Sequence, residues 1–195
     1  MLVHSSNRRL RGLLVLAAVS TLIVGCAGTP PQAKFEHTMV VDSRITASDT
    51  ADVVIETADK VNILPVERER VAEKIKAKID ERKLKNPGMP SPRTMQVVLD
   101  ITRYEKGNAF ARAMLAGLGQ IHLDGKVSVY RMPDHVLLED FDLQKTFAWG
   151  GIYGASTSME QIEDTFADGV AATVTGQQQT PAPSTADTRT GKTTR

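Results

Sequence analysis

Three neighbouring carboxylates form the densest group of residues with catalytic or metal-binding chemistry: Glu139, Asp140 and Asp142. On a strand, Asp140 and Asp142 would share one face and Glu139 would point to the other. A calcium site or an acid/base pair is one interpretation, and a solvated strand face beside a hairpin is the commoner one. Asp100, on a neighbouring predicted strand, matters here because a buried carboxylate beside this group would shift its pKa values.

Other residues with catalytic potential are scattered. His37, His122 and His135 occur singly, without metal-ligand spacing, and we expect solvated histidines. No Gly-x-Ser-x-Gly nucleophile motif occurs in the chain. The sequence therefore predicts a protein that is not an enzyme and that holds no metal ion and no cofactor.

The N-terminal segment has the features of a secretory leader. Arg8, Arg9 and Arg11 come before an apolar run, residues 13–24, and no acidic residue precedes them. The run is shorter than the roughly 20 residues that a membrane-spanning helix needs. Residues 1–25 are therefore predicted to be a signal peptide.

The only cysteine of the chain, Cys26, follows that run directly. Ile23-Val24-Gly25-Cys26 resembles the lipobox of bacterial lipoprotein precursors, in which the thiol receives a diacylglycerol. A buried structural thiol is the alternative, and it does not suit the end of a signal-like run. Ala27 follows, and by resemblance to proteobacterial sorting rules it indicates the outer membrane, on the periplasmic face.

The net charge gives few clues to partners. The chain carries +1 formally, and loss of the three leader arginines leaves −2. A nearly neutral protein is not expected to bind nucleic acid, and it has no general attraction to anionic lipid surfaces.

Composition divides the chain into four parts. These are a signal peptide (1–25), the lipidated cysteine with a proline-rich tether (26–36), an α+β domain (37–176) and a disordered tail (177–195). The tail has no large apolar residue, so it cannot bury enough surface to become ordered.

Hydrophobic periodicity predicts the elements of the domain. Alternating patterns predict strands over 38–47, 95–102, 121–130 and 137–147, whereas 53–55 is ambiguous. In the last strand Leu137, Phe141, Leu143 and Phe147 mark the apolar face, with Glu139 and Lys145 as exceptions. Amphipathic patterns predict helices over 66–83 and 158–175. Together they predict an α+β fold: a two-layer sandwich with an antiparallel or mixed sheet of about four strands and two main helices on one face.

Two glycine-rich segments, 107–119 and 149–155, follow predicted strands and are unusually apolar for loops. They can pack together over one end of the sheet, or expose an apolar patch that binds a partner protein or a ligand such as a lipid. A third interpretation makes 108–118 a small-residue helix lying on the membrane. The candidate patch residues are Phe110, Met114, Leu118, Trp149, Ile152 and Tyr153.

The stretch from Gly107 to Gly176 resembles a bacterial lipoprotein family, the domain of unknown function 4410. The resemblance rests on Gly107-Asn108, on the run ending Gly117-Leu118-Gly119, on the strand 126–130, on Gly150-Gly151 and on the final amphipathic helix. The turn 132–135 departs from the Asp-x-x-Thr/Ser-Gly pattern common in that family. The resemblance implies an envelope lipoprotein and no catalytic residues.

Two functions are favoured from the sequence over a third, an envelope enzyme that would use Asp140 and Asp142. The first is a non-catalytic, lipid-anchored accessory or scaffold subunit of an envelope assembly, which would bind an envelope protein or form a homo-oligomer. The second is a carrier that binds a lipid or cell-wall fragment in an apolar pocket.

Overall fold

The computed structural model describes residues 31–35, 43–115, 118–148 and 151–177. Within these ranges the chain forms five strands and four helices. They are β1 (Gln32–Phe35), β2 (Thr50–Thr57), α1 (Pro65–Lys83), β3 (Thr94–Glu105), α2 (Ala109–Met114), β4 (Ile121–Met132), β5 (Val136–Phe147), α3 (Gly151–Ser156) and α4 (Met159–Val174). None of the helices in these ranges is both long enough and apolar enough to span a membrane.

The strands form one mixed sheet in the order β1-β5-β4-β3-β2. β2 is parallel to β3, and the other three pairs are antiparallel. The helices α1 and α4 pack against each other and cover one face of the sheet. The predicted two-layer α+β sandwich is therefore confirmed, with five strands in the described ranges instead of about four.

Hydrophobic periodicity correctly predicted the long helices and strands. The apolar stripe of α1, Val71, Ile75 and Ile79, is completely buried, and the helix begins where the Leu64 main-chain N–H donates to the Glu67 carboxylate at 3.0 Å. The ambiguous run at 53–55 lies within β2, where Val54 pairs with Val98. The β2–α1–β3 crossover makes this pair parallel.

The strand predicted over 38–47 is wrong in its second half, and 38–42 lie outside the described residues. The chain turns after Ile45 because the Asp49 carboxylate accepts hydrogen bonds from the Thr46 main-chain N–H and hydroxyl, both at 2.8 Å. The edge strand comes instead from Gln32–Phe35, within the predicted tether.

The predicted apolar face of β5 also needs correction. A register shift lets Val129 pair with Glu139 and Tyr130 pair with Leu137, so Leu138 is an extra residue in β5. The bulge turns the Leu137 side chain away from the core, and the residue is 46% exposed. Glu139 and Lys145, the two exceptions in the pattern, are buried.

Candidate functional site

Both glycine-rich segments lie at the same end of the sheet, which we call the patch end. The helix α2 follows the last residue pair of β3 with β4, and α3 follows Phe147, which pairs with Ile121 at the start of β4. The two short helices therefore meet, and they pack against each other.

Two glycines close the loop that carries α2. Gly107 and Gly119 have φ values of +64° and +70°, which favour glycine. A Cβ atom on Gly107 would overlap the carbonyl oxygens of Gly119 and Gln120. The Asn108 main-chain N–H donates to the Gly119 carbonyl at 3.2 Å, and its side chain caps α2. The loop is thus held by its own main chain.

Arg112 joins the two segments. Its side chain is 3% exposed, and its guanidinium donates to the carbonyl oxygens of Gly119 at 2.8 Å, Gly154 at 2.7 Å and Thr157 at 3.0 Å. A longer contact of 3.4 Å reaches the Lys106 carbonyl. Because a guanidinium presents five N–H donors in a fixed plane, one side chain can hold several carbonyls in a set geometry.

We call α2, α3 and the loops that carry them the platform. Its large apolar side chains are exposed. Six of them are between 53% and 87% exposed, and we call them the end patch: Phe110, Met114, Leu115, Leu118, Ile152 and Tyr153. Five of the six predicted patch residues lie in this group, whereas Trp149 lies outside the described residues. The segments pack together through their main chains and expose their apolar side chains, which combines two of the interpretations drawn from the sequence.

The end patch is uncharged. Between Gly107 and Gln120 and between Ala148 and Thr157 the sequence has one charged side chain, the buried Arg112. Six exposed large apolar side chains on two packed helices and their loops, with no charge among them, are uncommon on a soluble domain and are typical of a contact site.

A buried ionic cluster lies under the platform, between α1, α4 and β3. Glu163 is 0% exposed and accepts two hydrogen bonds from Arg70, at 2.7 and 2.8 Å, and one from the Tyr104 hydroxyl at 2.7 Å. Lys74 lies 3.3 Å away. Burial and this carboxylate raise the pKa of Tyr104 far above its usual value, so the phenol stays a donor.

Sequence reasoning missed this cluster. The signal in the sequence was Glu163, a carboxylate that lies between Met159 and Phe166 on the apolar face of the last helix. A charged residue in a buried stripe requires partners, and here they come from elements about 60 and 90 residues away.

A second ion pair connects α1 to the start of the α2 loop. Lys106 lies 2.7 Å from Glu67, whose other oxygen accepts from Leu64. Burial alone would raise the pKa of Glu67, but the hydrogen bonds from Lys106 and Leu64 outweigh it and lower the pKa. The base of the platform is therefore fixed to both layers of the fold.

The carboxylates of β5 do not form a common site. Glu139 is 1% exposed inside the core, and both of its side-chain oxygens lack a hydrogen-bond partner in the described structure. Burial raises its pKa to about 7, against the attraction of Arg44 and with added repulsion from Asp140. Asp140 lies on the other face, buried and 3.1 Å from Lys126, so the solvated face predicted there is wrong.

His122 and Asp100 differ from expectation, whereas His135 is exposed in its turn as predicted and His37 lies outside the described residues. His122 is buried and its Nδ1 lies 3.0 Å from the Thr146 hydroxyl, so it is not solvated; burial and then Arg103 lower its pKa. His135 stacks on Tyr130. Asp100 pairs with Lys126 across the sheet and not with the β5 carboxylates. Over the described ranges, no three His, Cys, Asp or Glu side chains cluster in a way that could hold a metal ion.

The family resemblance is confirmed by a family model, the domain of unknown function DUF4410, which matches residues 39–151. The chain belongs to this family. No curated protein matches the chain significantly.

Several solved structures share a general likeness. The PelC dodecamer from Paraburkholderia phytofirmans is 8% identical over 76% of this chain and 99% of that chain, with a TM-score of 0.49. A DUF330 protein from Xanthomonas campestris is 14% identical over 74% and 94%, with a TM-score of 0.42. A Caulobacter crescentus protein described as a candidate lipoprotein is 12% identical over 63% and 84%, with a TM-score of 0.35. At these values we transfer none of their properties to this chain.

Proposed function

We propose that this protein is a non-catalytic lipoprotein that serves as an accessory or scaffold subunit of an envelope assembly. In this proposal it is anchored through lipid on Cys26 to the periplasmic face of the outer membrane. The observation that carries the proposal is the end patch, a set of exposed apolar side chains on a platform that Arg112 holds in one shape. Such a surface suits contact and positioning rather than chemistry.

The anchor is supported by the order of features at the N-terminus. A basic leader, a short apolar run and Ile23-Val24-Gly25-Cys26 occur in the sequence that lipoprotein processing needs. Stable anchoring takes more than one acyl chain, and a processed lipobox cysteine carries several. The protein would then act where it is tethered, as a fixed point for a partner.

A carrier with an enclosed apolar ligand is less favoured. The side chains that would bind the ligand are exposed in the end patch, whereas a ligand site usually surrounds most of its ligand. A retained lipid in native mass spectra of protein purified from membranes would support the carrier instead.

Photocrosslinking in cells tests the accessory role. A photoreactive amino acid would replace Tyr153 in the end patch, Ser128 on the sheet face opposite α1 and α4, or Lys85 at the opposite end of the molecule, one at a time in the full-length protein. We expect one dominant envelope protein, or a second copy of this chain, to be captured from at least one position. Absence of a protein adduct from all three positions would overturn the scaffold role.

The anchor has its own measurement. The intact mass of the protein purified from membranes is expected to show loss of residues 1–25 and an acylated Cys26. An unprocessed chain, or a processed chain without acyl mass, would overturn lipid anchoring.

A further inference from the structure

The register of β1 places its N-terminal residue, Gln32, nearer the patch end than the opposite end, and from this we propose that the end patch is a membrane-contact surface, seated on the bilayer that holds the lipid anchor. The inference rests on the proposed lipidation of Cys26 and names the occupant of the patch: lipid, at the headgroup–acyl boundary. The patch would give the domain a second attachment and fix its orientation.

The direction of the chain is set by strand pairing. β1 is antiparallel to β5, with Phe35 opposite Phe141 and Gln32 opposite Gln144. β5 runs toward Phe147 and the patch end, so β1 read backward from Phe35 to Gln32 runs the same way. The N-terminal residue of β1, Gln32, is therefore the end of the strand that lies nearer the patch.

The length of that segment limits where the bilayer can be. Cys26 lies six residues before Gln32, so its Cα lies within about 20 Å of that residue even when fully extended. Along the strand, Gln144 is about 10 Å from Phe147 at the patch end, but about 27 Å from Val136 at the other end. A bilayer held at Cys26 is thus within reach of the patch end and out of reach of the opposite end.

Pro31 is the residue directly before β1. A Cβ atom on Gly169 would lie 2.8 Å from the Pro31 Cβ, so the proline packs directly against α4. Only the residues from Cys26 to Pro30 remain between the lipid and this contact. A tether this short keeps the patch end close to the membrane surface.

The chemistry of the patch suits lipid. Phe110, Ile152 and Tyr153, the most exposed of its residues, are 74%, 87% and 77% exposed, so they project from the tips of α2 and α3. Apolar and aromatic side chains of this kind bury themselves at the membrane interface. A charge there would be costly, and the segments' one charged group, Arg112, is buried on main-chain carbonyls.

Because the anchor already holds the protein at the membrane, even a weak affinity of the end patch for lipid is enough to seat it on the bilayer. Once lipid holds Cys26, seating of the patch becomes an intramolecular event with a high effective concentration of bilayer. A protein partner would have to compete with that bilayer for the same surface. The mature chain's charge of −2 means that seating depends on apolar burial and not on attraction to anionic headgroups.

The native tryptophan gives the test. Trp149 is the only tryptophan of the chain, and its Cα lies within about 8 Å of that of Gly151, the first residue of α3. Full-length lipidated protein would be reconstituted into phosphatidylethanolamine–phosphatidylglycerol vesicles with brominated acyl chains. We expect the bromines to quench Trp149 fluorescence, most strongly when they are near the headgroups, and acrylamide to quench it poorly.

Paired variants assign the quenching to the patch. The double variant Leu118→Glu/Ile152→Glu places two charges in the end patch and is expected to reduce lipid quenching roughly twofold or more. The matched control Leu84→Glu changes an exposed leucine, 70% exposed, just after α1 at the opposite end, and should leave the quenching unchanged. Circular dichroism checks that each variant folds.

The outcomes separate the two proposals. Acylated protein whose Trp149 is open to acrylamide and not quenched by bromolipid overturns the membrane-contact surface and leaves the anchor standing. Unacylated Cys26 in the same sample overturns both. Quenching that the patch double variant does not change also overturns the inference, and a protein captured through position 153 would then name the occupant.

Discussion

At the patch end, the buried carboxylate of Glu163 accepts hydrogen bonds from Arg70 and Tyr104 under an uncharged apolar surface. At the opposite end, which we call the far end, the buried carboxylate of Glu139 has no hydrogen-bond partner in the described structure. The far end also contains a buried carboxylate that has a partner, because the Asp49 side chain is 0% exposed and lies 2.7 Å from Arg93.

The difference separates a carboxylate that joins three elements from one that is expected to be pH-sensitive. The paired carboxylate of Glu163 joins α4 to α1 and β3 through its hydrogen bonds with Arg70 and Tyr104. Burial raises the pKa of Glu139, which lacks a hydrogen-bond partner among the described residues, so we expect its contribution to stability to depend on pH.

Removal of Glu163 should have the largest effect. Glu163→Ala leaves Arg70 and the Tyr104 hydroxyl without their buried partner, and it should lower the free energy of unfolding by about 3–5 kcal/mol. Urea denaturation measures the loss. Glu160→Ala is the control, because Glu160 is 55% exposed on the same helix and only 3.9 Å from Arg70, so its change should stay below about 1 kcal/mol. Equal losses of stability in Glu163→Ala and Glu160→Ala would contradict the role of Glu163 as a buried, paired carboxylate.

Glu139 should make stability fall as pH rises. Its carboxyl has a pKa of about 7 in the folded chain against 4.5 as a model value, so the folded state holds the proton longer. The free energy of unfolding should therefore decrease between these two values, by up to about 3 kcal/mol, and stay level above them.

Glu139→Gln should remove this slope, making the variant more stable than the parent at pH 8 and nearly equal to it at pH 4. Urea denaturation at both pH values measures the difference. Glu56→Gln, at an exposed position on β2, is the control and should leave the slope in place. A difference in stability between the parent and Glu139→Gln that is the same at both pH values would contradict the raised pKa of Glu139.

Arg112 should hold the platform together. Arg112→Met removes the donors to Gly154, Gly119 and Thr157, and it should cost about 2 kcal/mol because buried carbonyls lose their partners. Hydrogen exchange should rise in α2 and α3 and remain slow in β3 and β4. Arg103→Met, which breaks an exposed pair with Glu105, should leave both helices protected; equal exchange in the two variants would refute the role of Arg112.

The end patch should contribute least to stability. Ile152→Glu should change the free energy of unfolding by less than about 0.5 kcal/mol, because the side chain is 87% exposed and leaves no cavity. Ile162→Ala, at a 3% exposed position, should cost about 2–5 kcal/mol in the same urea titration. A large loss from Ile152→Glu would mean that the patch is part of the core.

Long periodic segments could be predicted because their pattern is local. The alternation from Met95 to Ile101 and the stripe of Val71, Ile75 and Ile79 each repeat several times, and the structure buries all of these side chains. β1 could not be predicted, since its four residues in a proline-rich segment become a strand only by pairing with β5. The bulge at Leu138 likewise depends on how β5 pairs with β4.

The candidate site divides in the same way. Composition alone selected Phe110, Met114, Leu118, Ile152 and Tyr153, since apolar residues among glycines are unusual in loops. It did not show that these side chains are exposed, because exposure depends on Arg112 using main-chain carbonyls from both segments.

The sequence by itself determined the family, the α+β class, the predicted anchor at Cys26 and the lack of charge in the glycine-rich segments, because each depends on residue types along a short stretch. Only the tertiary structure decided that the two segments meet at one end, that β1 begins nearer that end, and that Glu163 is paired while Glu139 lacks a partner among the described residues. The physical reason is that hydrogen bonds and burial between distant segments are fixed by strand register and helix packing, which no local pattern specifies.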